Sequence, residues 1–155
     1  MTALPSHRGR VVAVDPGAVR IGLAISDESR TLARPLDIVR RDAPDPVGRL
    51  AARILAEQPA EVIVGLPLQP DGSVGPKARQ AQRFAQRLSK AIAPVRVILW
   101  DERYSTADAR DILRQCGASR RRRQQPPDAI AAAVILQSYL DHGATPPPAT
   151  DKSAS

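Results

Sequence analysis

Two apolar runs, Val11-Val12-Ala13-Val14 and Ile21-Gly22-Leu23-Ala24-Ile25, flank the segment Asp15-Pro16-Gly17-Ala18-Val19-Arg20. An unbroken β-branched and small apolar run suits a strand covered on both faces. The Asp-Pro-Gly sequence breaks the extended chain, so the two runs read as a hairpin with a short loop around residues 16–19. Asp15 then stands at the mouth of a buried strand. It is either an ordinary turn aspartate bonding its own backbone or a carboxylate presented to a site.

The punctuation of the remaining chain supplies the rest of the order. Thr31 to Val39 reads as a third strand. Asp45-Pro46 offers an N-cap with proline at the first helical position, followed by Val47, Leu50, Ala51, Ile54 and Leu55 at helical spacing. Glu61 to Val64 is a short strand that stops at Gly65-Leu66-Pro67, and a second helix begins near Pro76 with Ala81, Phe84, Ala85, Leu88 and Ile92 on its apolar side. Val95 to Trp100 is the fifth strand and ends in Asp101-Glu102-Arg103. Ser105 or Thr106 caps a helix through Ile112, Leu113 and Cys116 to Gly117, and a last, almost wholly apolar helix runs from Asp128 to Leu140. Three strands in a meander, followed by strands alternating with helices, predict an α/β domain. Its mixed sheet has five strands, three antiparallel and then two parallel, with helices on both faces. The expected domain spans residues 1–143, with 1–9 as an N-terminal arm and 144–155, which contain Pro146-Pro147-Pro148, as a disordered tail.

Charge is unevenly distributed. Residues 1–76 carry nine Arg and nine acids, whereas residues 77–123 carry thirteen Lys and Arg against four acids, so the net charge of +7 originates in that second segment. A concentrated basic stretch is the footprint expected for a polyanionic partner, nucleic acid first among them. Arg79, Arg83 and Arg87 recur four apart on the second helix, and Arg120, Arg121, Arg122 and Arg123 form a run just before the last helix. With aromatics at only 3% of residues, recognition through backbone and shape is expected rather than base stacking. No stretch approaches the ~18 apolar residues of a membrane span. Residues 1–10 are too short and polar for a signal peptide, and the single Cys116 cannot form an internal disulfide, so a reducing cytoplasm is the expected location.

Asp15, the pair Asp101 and Glu102, and Asp128 each lie where an apolar element ends or begins. In a sheet whose first and later parallel strands point the same way, these strand ends share one edge, where crevices of open α/β sheets form. Carboxylates gathered there repel one another and raise each other's pKa unless a cation sits among them. Mg²⁺ or Mn²⁺ would resolve that conflict, as in two-metal phosphodiester hydrolysis. Asp15, Glu102 and Asp128 are the candidate metal ligands. Glu102 is preferred to Asp101 because its longer side chain reaches further from a strand end, which leaves Asp101 to orient a water or Arg103. Arg20 and Arg103 flank the acids and suit phosphate oxygens.

The segments Val14-Asp15-Pro16-Gly17, Arg20-Ile21-Gly22-Leu23-Ala24, Val64-Gly65-Leu66-Pro67-Leu68, Asp101-Glu102-Arg103 and Asp128-Ala129 together resemble the YqgF/RuvX family of Holliday-junction-resolvase-like proteins, to which processing of the 5′ end of precursor 16S ribosomal RNA is assigned. The resemblance implies a ribonuclease H-like fold and divalent-metal nuclease chemistry, with Asp15, the Asp101-Glu102 pair and Asp128 matching the family's acids. It departs from the wider fold at strand four, where an acid is usual and Gly65-Leu66-Pro67 stands instead; the acid must come from the neighbouring strand, and Gly65 would let a nucleic-acid strand lie close. Expected substrates are precursor ribosomal RNA or, alternatively, branched DNA, with a non-catalytic nucleic-acid-binding factor as a third reading. The expected state is a monomer or weak homodimer, without membrane association.

Overall fold

The computed structural model describes residues 9–105 and 127–142. The expected helix through Ile112 and Cys116, the run Arg120 to Arg123, residues 1–8 of the arm and the tail lie outside those residues. Strands β1 (Val11–Pro16), β2 (Arg20–Ser26) and β3 (Ala33–Arg40) are followed by α1 (Pro46–Ala56), β4 (Glu61–Leu66), α2 (Pro76–Ile92), β5 (Arg96–Asp101), a 3-10 turn over Glu102–Tyr104, and α3 (Pro127–Asp141). The sheet order is β3-β2-β1-β4-β5. β1 pairs antiparallel with β2, and β2 with β3, while β1–β4 and β4–β5 are parallel. The mixed five-stranded sheet is therefore present as expected, and the C-terminal ends of β1, β4 and β5 share one edge.

Alternation along β1 builds two core layers. Val12 and Val14 pack with Leu50 and Ile54 of α1 and Phe84 and Leu88 of α2, whereas Val11 and Ala13 pack with Ala132, Ala133 and Leu136 of α3. All four β1 residues are fully buried, which explains the unbroken apolar run. Pro35, which cannot donate to a ladder, is tolerated because β3 is an edge strand and lies opposite Ala24 next to a register shift.

Local signals define most helix starts. Asp45 caps α1 by accepting from the Gly48 amide at 3.1 Å, with Pro46 in the first turn. α2 starts at Pro76 as expected. Several boundaries differ from expectation, β1 running on to Pro16, β2 covering Arg20–Ser26 and β5 starting at Arg96 among them. β3 runs over Ala33–Arg40 instead of 31–39, because Thr31 and Leu32 donate their amides to the Asp27 carboxylate in a turn. β4 does not stop at Val64 and β5 does not stop at Trp100: parallel pairing carries them on through Gly65–Trp100 and Leu66–Asp101. α3 begins at Pro127, so Asp128 lies within its first turn.

Buried polar contacts lock α3 onto the sheet. The Gln137 side chain accepts from the Ala33 amide at 2.9 Å and donates to the Thr31 carbonyl at 3.0 Å. Trp100 Nε1 donates to Ser138 Oγ at 3.1 Å, and that hydroxyl donates onward to the Tyr104 carbonyl at 2.9 Å. The same contacts that seat α3 thus hold the 3-10 turn that follows β5. No described helix is long and apolar enough to cross a membrane.

Candidate active site

Asp15 is the fifth residue of β1 and lies on the face of Val11 and Ala13, toward α3. Its neighbours on both adjacent strands are glycines. Gly22 pairs with it across the antiparallel ladder, and Gly65 follows Val64, the partner of Val14. Each glycine makes room for one further acid. A Cβ at Gly22 would collide with the backbone carbonyl of Asp128, so only glycine lets the N-terminus of α3 descend onto the sheet beside Asp15. A Cβ at Gly65 would stand 2.5 Å from Glu102 Oε2 and 2.9 Å from Ile135 Cδ1. The Glu102 carboxylate therefore occupies the space over strand four. Gly65 thus makes room for the Glu102 carboxylate beside strand four.

Asp101 and Glu102 diverge. Asp101 accepts from the Arg103 amide at 2.9 Å, closing the 3-10 turn, and its carboxylate is gripped by the Arg103 guanidinium, with Nη2 at 2.8 Å from Oδ2. Arg103 also donates to the Pro70 carbonyl at 3.3 Å, tying the β4–α2 loop to the end of β5. Glu102 is turned back toward Asp15. On the other side, Arg20 Nε donates to Asp128 Oδ2 at 2.7 Å. Arg20 and Arg103 thus each hold one of the candidate acids.

The electrostatics bind the acids into one unit. Burial raises the Asp15 pKa, and the Asp128 charge raises it further. Burial, then the charges of Asp15 and Asp101, push Glu102 up to about 7, against an opposing pull from Lys77. Among the described residues no three acidic, His or Cys side chains converge closely enough to form a ready-made metal cage. The donor set nevertheless fits a hard divalent cation: Asp128 makes the partly buried Asp15 harder to ionise, Asp15 does the same to Glu102, and oxygen is the donor such ions take. Among the described residues Asp15 and Glu102 have no ion-pair partner, whereas Asp128 shares an oxygen with Arg20.

Asp15 and Glu102, but not Asp101 or Asp128, line a cleft of about 550 Å³. Lys77, Arg83 and Arg87 of α2, with Arg41, line the same cleft. Arg79 is exposed on α2 but does not line the cleft. Arg41 and Lys77 were not singled out by sequence reasoning. Arg41 stands alone in the loop after β3, and no periodicity marks it.

The RuvX family, described as Holliday junction resolvase, matches residues 9–142. A Streptomyces coelicolor protein is 43% identical over 136 residues, covering 87% of this chain and 81% of its own, and a Mycobacterium tuberculosis protein is 42% identical over 141 residues, covering 88% and 83%; both are named "Putative pre-16S rRNA nuclease". Among solved structures, Thermus thermophilus RuvC in complex with Holliday junction substrate superposes with a TM-score of 0.55 at 18% identity, over 87% of this chain and 94% of that one. The fowlpox virus Holliday junction resolvase gives 0.52 at 17% identity, over 86% and 98%. These likenesses establish the ribonuclease H-like resolvase fold.

Proposed function

Because the chain belongs to the RuvX/YqgF family, we propose that it is a divalent-metal-dependent endonuclease that hydrolyses phosphodiester bonds in the maturation of the 5′ end of precursor 16S ribosomal RNA. The observation that carries this reading is the cleft itself, whose lining brings Asp15 and Glu102 together with Lys77, Arg83, Arg87 and Arg41. Acids alone would repel a phosphate backbone and arginines alone would only bind it. Their presence in one cleft suits a backbone held by the cations and cut at the acids. The names of the relatives support RNA as the polymer.

Asp15 and Glu102 would hold Mg²⁺ or Mn²⁺, joined by Asp128. Such an ion supplies, when bound, neutralisation of the charge that builds on the phosphate in the transition state. The chain's own residues do the rest. Burial and acidic neighbours push the Glu102 pKa up to about 7 without a metal, and a bound cation would relieve that conflict and hold the carboxylate ionised. Asp101 and Arg103 clamp the end of β5 and so aim Glu102 at the cleft. Arg20 holds Asp128 in place against its acidic neighbours. Arg120 to Arg123, just before α3 in sequence, and Arg79 add positive charge for the same polyanion. Trp100, Tyr104 and Tyr139 pack against one another, and Phe84 is buried. These aromatic rings serve the core, so backbone and shape readout is the mode proposed.

The description of the matching family favours a second reading, resolution of four-way DNA junctions. Incubating the protein with a precursor 16S RNA and with a four-way DNA junction, side by side in Mg²⁺ and in Mn²⁺, separates the readings. Discrete cuts near the mature 5′ end of the RNA are expected. Junction cleavage alone favours the DNA reading, and salt-sensitive binding without scission of either polymer replaces both with a binding factor.

A further inference from the structure

Six of the thirteen arginines among the described residues reach a carboxylate, and those of the cleft are among the seven that do not. Arg10, Arg20, Arg30, Arg40, Arg53 and Arg103 each reach a carboxylate. Among the described residues, Arg41, Arg83 and Arg87 have no carboxylate within ion-pair distance. Arg41 is nonetheless rigidly placed. Its Nε donates to the Gly17 carbonyl at 2.8 Å, its backbone amide donates to the Val19 carbonyl at 3.0 Å, and its guanidinium carbon lies 5.4 Å from the centre of the Phe84 ring. Burial and the neighbouring Arg87 charge both push the Arg41 pKa down. Arg41, Arg83 and Arg87 line the same cleft, and an anion seated among them would relieve the repulsion of their like charges. Arg41 Nη2 also donates to the Pro16 carbonyl at 3.5 Å, which leaves the Nη1 donors and one Nη2 hydrogen to offer.

We propose that Arg41, Arg83 and Arg87 form a subsite for one internal phosphodiester of the substrate strand, distinct from the bond that is cut, and that this contact sets the register of the strand over Asp15 and Glu102. The proposal rests on the nuclease reading for the identity of the polyanion. Arg41 is bonded to the loop immediately after Asp15, so a phosphate seated on it is positioned relative to the strand end that presents the acid. Guanidinium suits this task because its planar fork pairs with two phosphate oxygens at once.

The test is binding of the full chain, in EDTA, to a fluorescent RNA oligonucleotide that spans the mature 5′ end and carries a 5′-hydroxyl, so that no terminal phosphate is available. The slope of log K against log salt reports phosphate contacts, roughly 0.7 for each one neutralised on a single strand. Arg83 and Arg87 are exposed, so Arg83→Gln/Arg87→Gln leaves the fold in place. The double variant is expected to weaken binding at least about tenfold and to reduce the slope by about 0.7. Lys90→Gln/Arg96→Gln removes the same charge outside the cleft lining and is expected to leave the slope unchanged. Equal slopes for the two double variants, or no binding by the unsubstituted chain, overturn the subsite. A slope change specific to the cleft variant, in a protein that never cuts RNA, supports the subsite and removes the nuclease reading. Normal cleavage with no slope change does the reverse.

Discussion

Gly65→Ala separates the positioning of Glu102 from its chemistry. The added Cβ would stand 2.5 Å from Glu102 Oε2 and 2.9 Å from Ile135 Cδ1. Favourable contact begins at ~3.5 Å, so the carboxylate must withdraw by about 1 Å. A displacement of that size in a reacting group costs on the order of 100-fold in rate. The cost in stability is smaller. Crowding against Ile135 costs about 1–3 kcal/mol, partly offset by the ~0.5–1 kcal/mol that alanine gains over glycine within a strand. The variant should therefore stay folded, melting a few degrees lower, at roughly 2–4 °C per kcal/mol for a chain of this size. The assay is single-turnover cleavage of precursor RNA in Mg²⁺ by four proteins: unsubstituted, Gly65→Ala, Glu102→Gln and the double variant. If Gly65 acts through Glu102, alanine costs about 100-fold alone and little once Glu102 is already glutamine, a coupling that the cycle isolates. Full activity of Gly65→Ala, or the same loss in both backgrounds, would refute the reasoning.

Titration of Glu102 predicts a pH-dependent stability. Its folded pKa of about 7 lies above the ordinary 4.5, so between those values the folded chain holds a proton that the unfolded chain has released. This contribution is fully present below pH 4.5 and is lost as pH rises through 7. Discounted for screening in an open cleft, the change is about 1–2 kcal/mol in urea melts in EDTA; Glu102→Gln should flatten it, and an unchanged slope would contradict the assignment. Gly22→Ala forces its Cβ onto the Asp128 backbone, which cannot swing aside, and should cost about 1–3 kcal/mol in denaturant unfolding; wild-type stability would contradict the seating of α3. Tyr139→Phe removes a buried 2.6 Å bond to Glu61 Oε2, an oxygen that also accepts from Arg30. It should cost about 1.5–3 kcal/mol while leaving RNA binding and cleavage intact, and a cleavage defect at full stability would contradict its structural role.

What was legible in the sequence was what neighbouring residues decide together. The β1–β2 hairpin, the Asp45-Pro46 cap and the start of α2 at Pro76 rest on local backbone chemistry. The extension of β5 to Asp101 depends on β4 lying beside it, which no local signal at residue 101 records. The glycines show the same divide. A glycine inside a strand pattern announces a close approach, but that a helix end lies over Gly22 and the Glu102 carboxylate over Gly65 is decided by tertiary packing. The arginine stripe divides at the cleft for a geometric reason. Steps of four residues drift by about 40° around a helix, so Arg79 rotates off the face that Arg83 and Arg87 present to the cleft, while Lys77 rotates onto it. Arg41 reaches the cleft only because β3 ends beside the β1–β2 loop.

The central claim is that the carboxylates of this cleft cut RNA with a divalent ion. The most direct measurement is a product map of end-labelled precursor 16S RNA incubated in Mg²⁺ with the unsubstituted protein and with Asp15→Asn. The account predicts discrete cleavage near the mature 5′ end by the first, abolished by EDTA, and none by Asp15→Asn, which remains folded and still binds the RNA. Cleavage by Asp15→Asn at the unsubstituted rate, or cleavage that persists in EDTA, would contradict it.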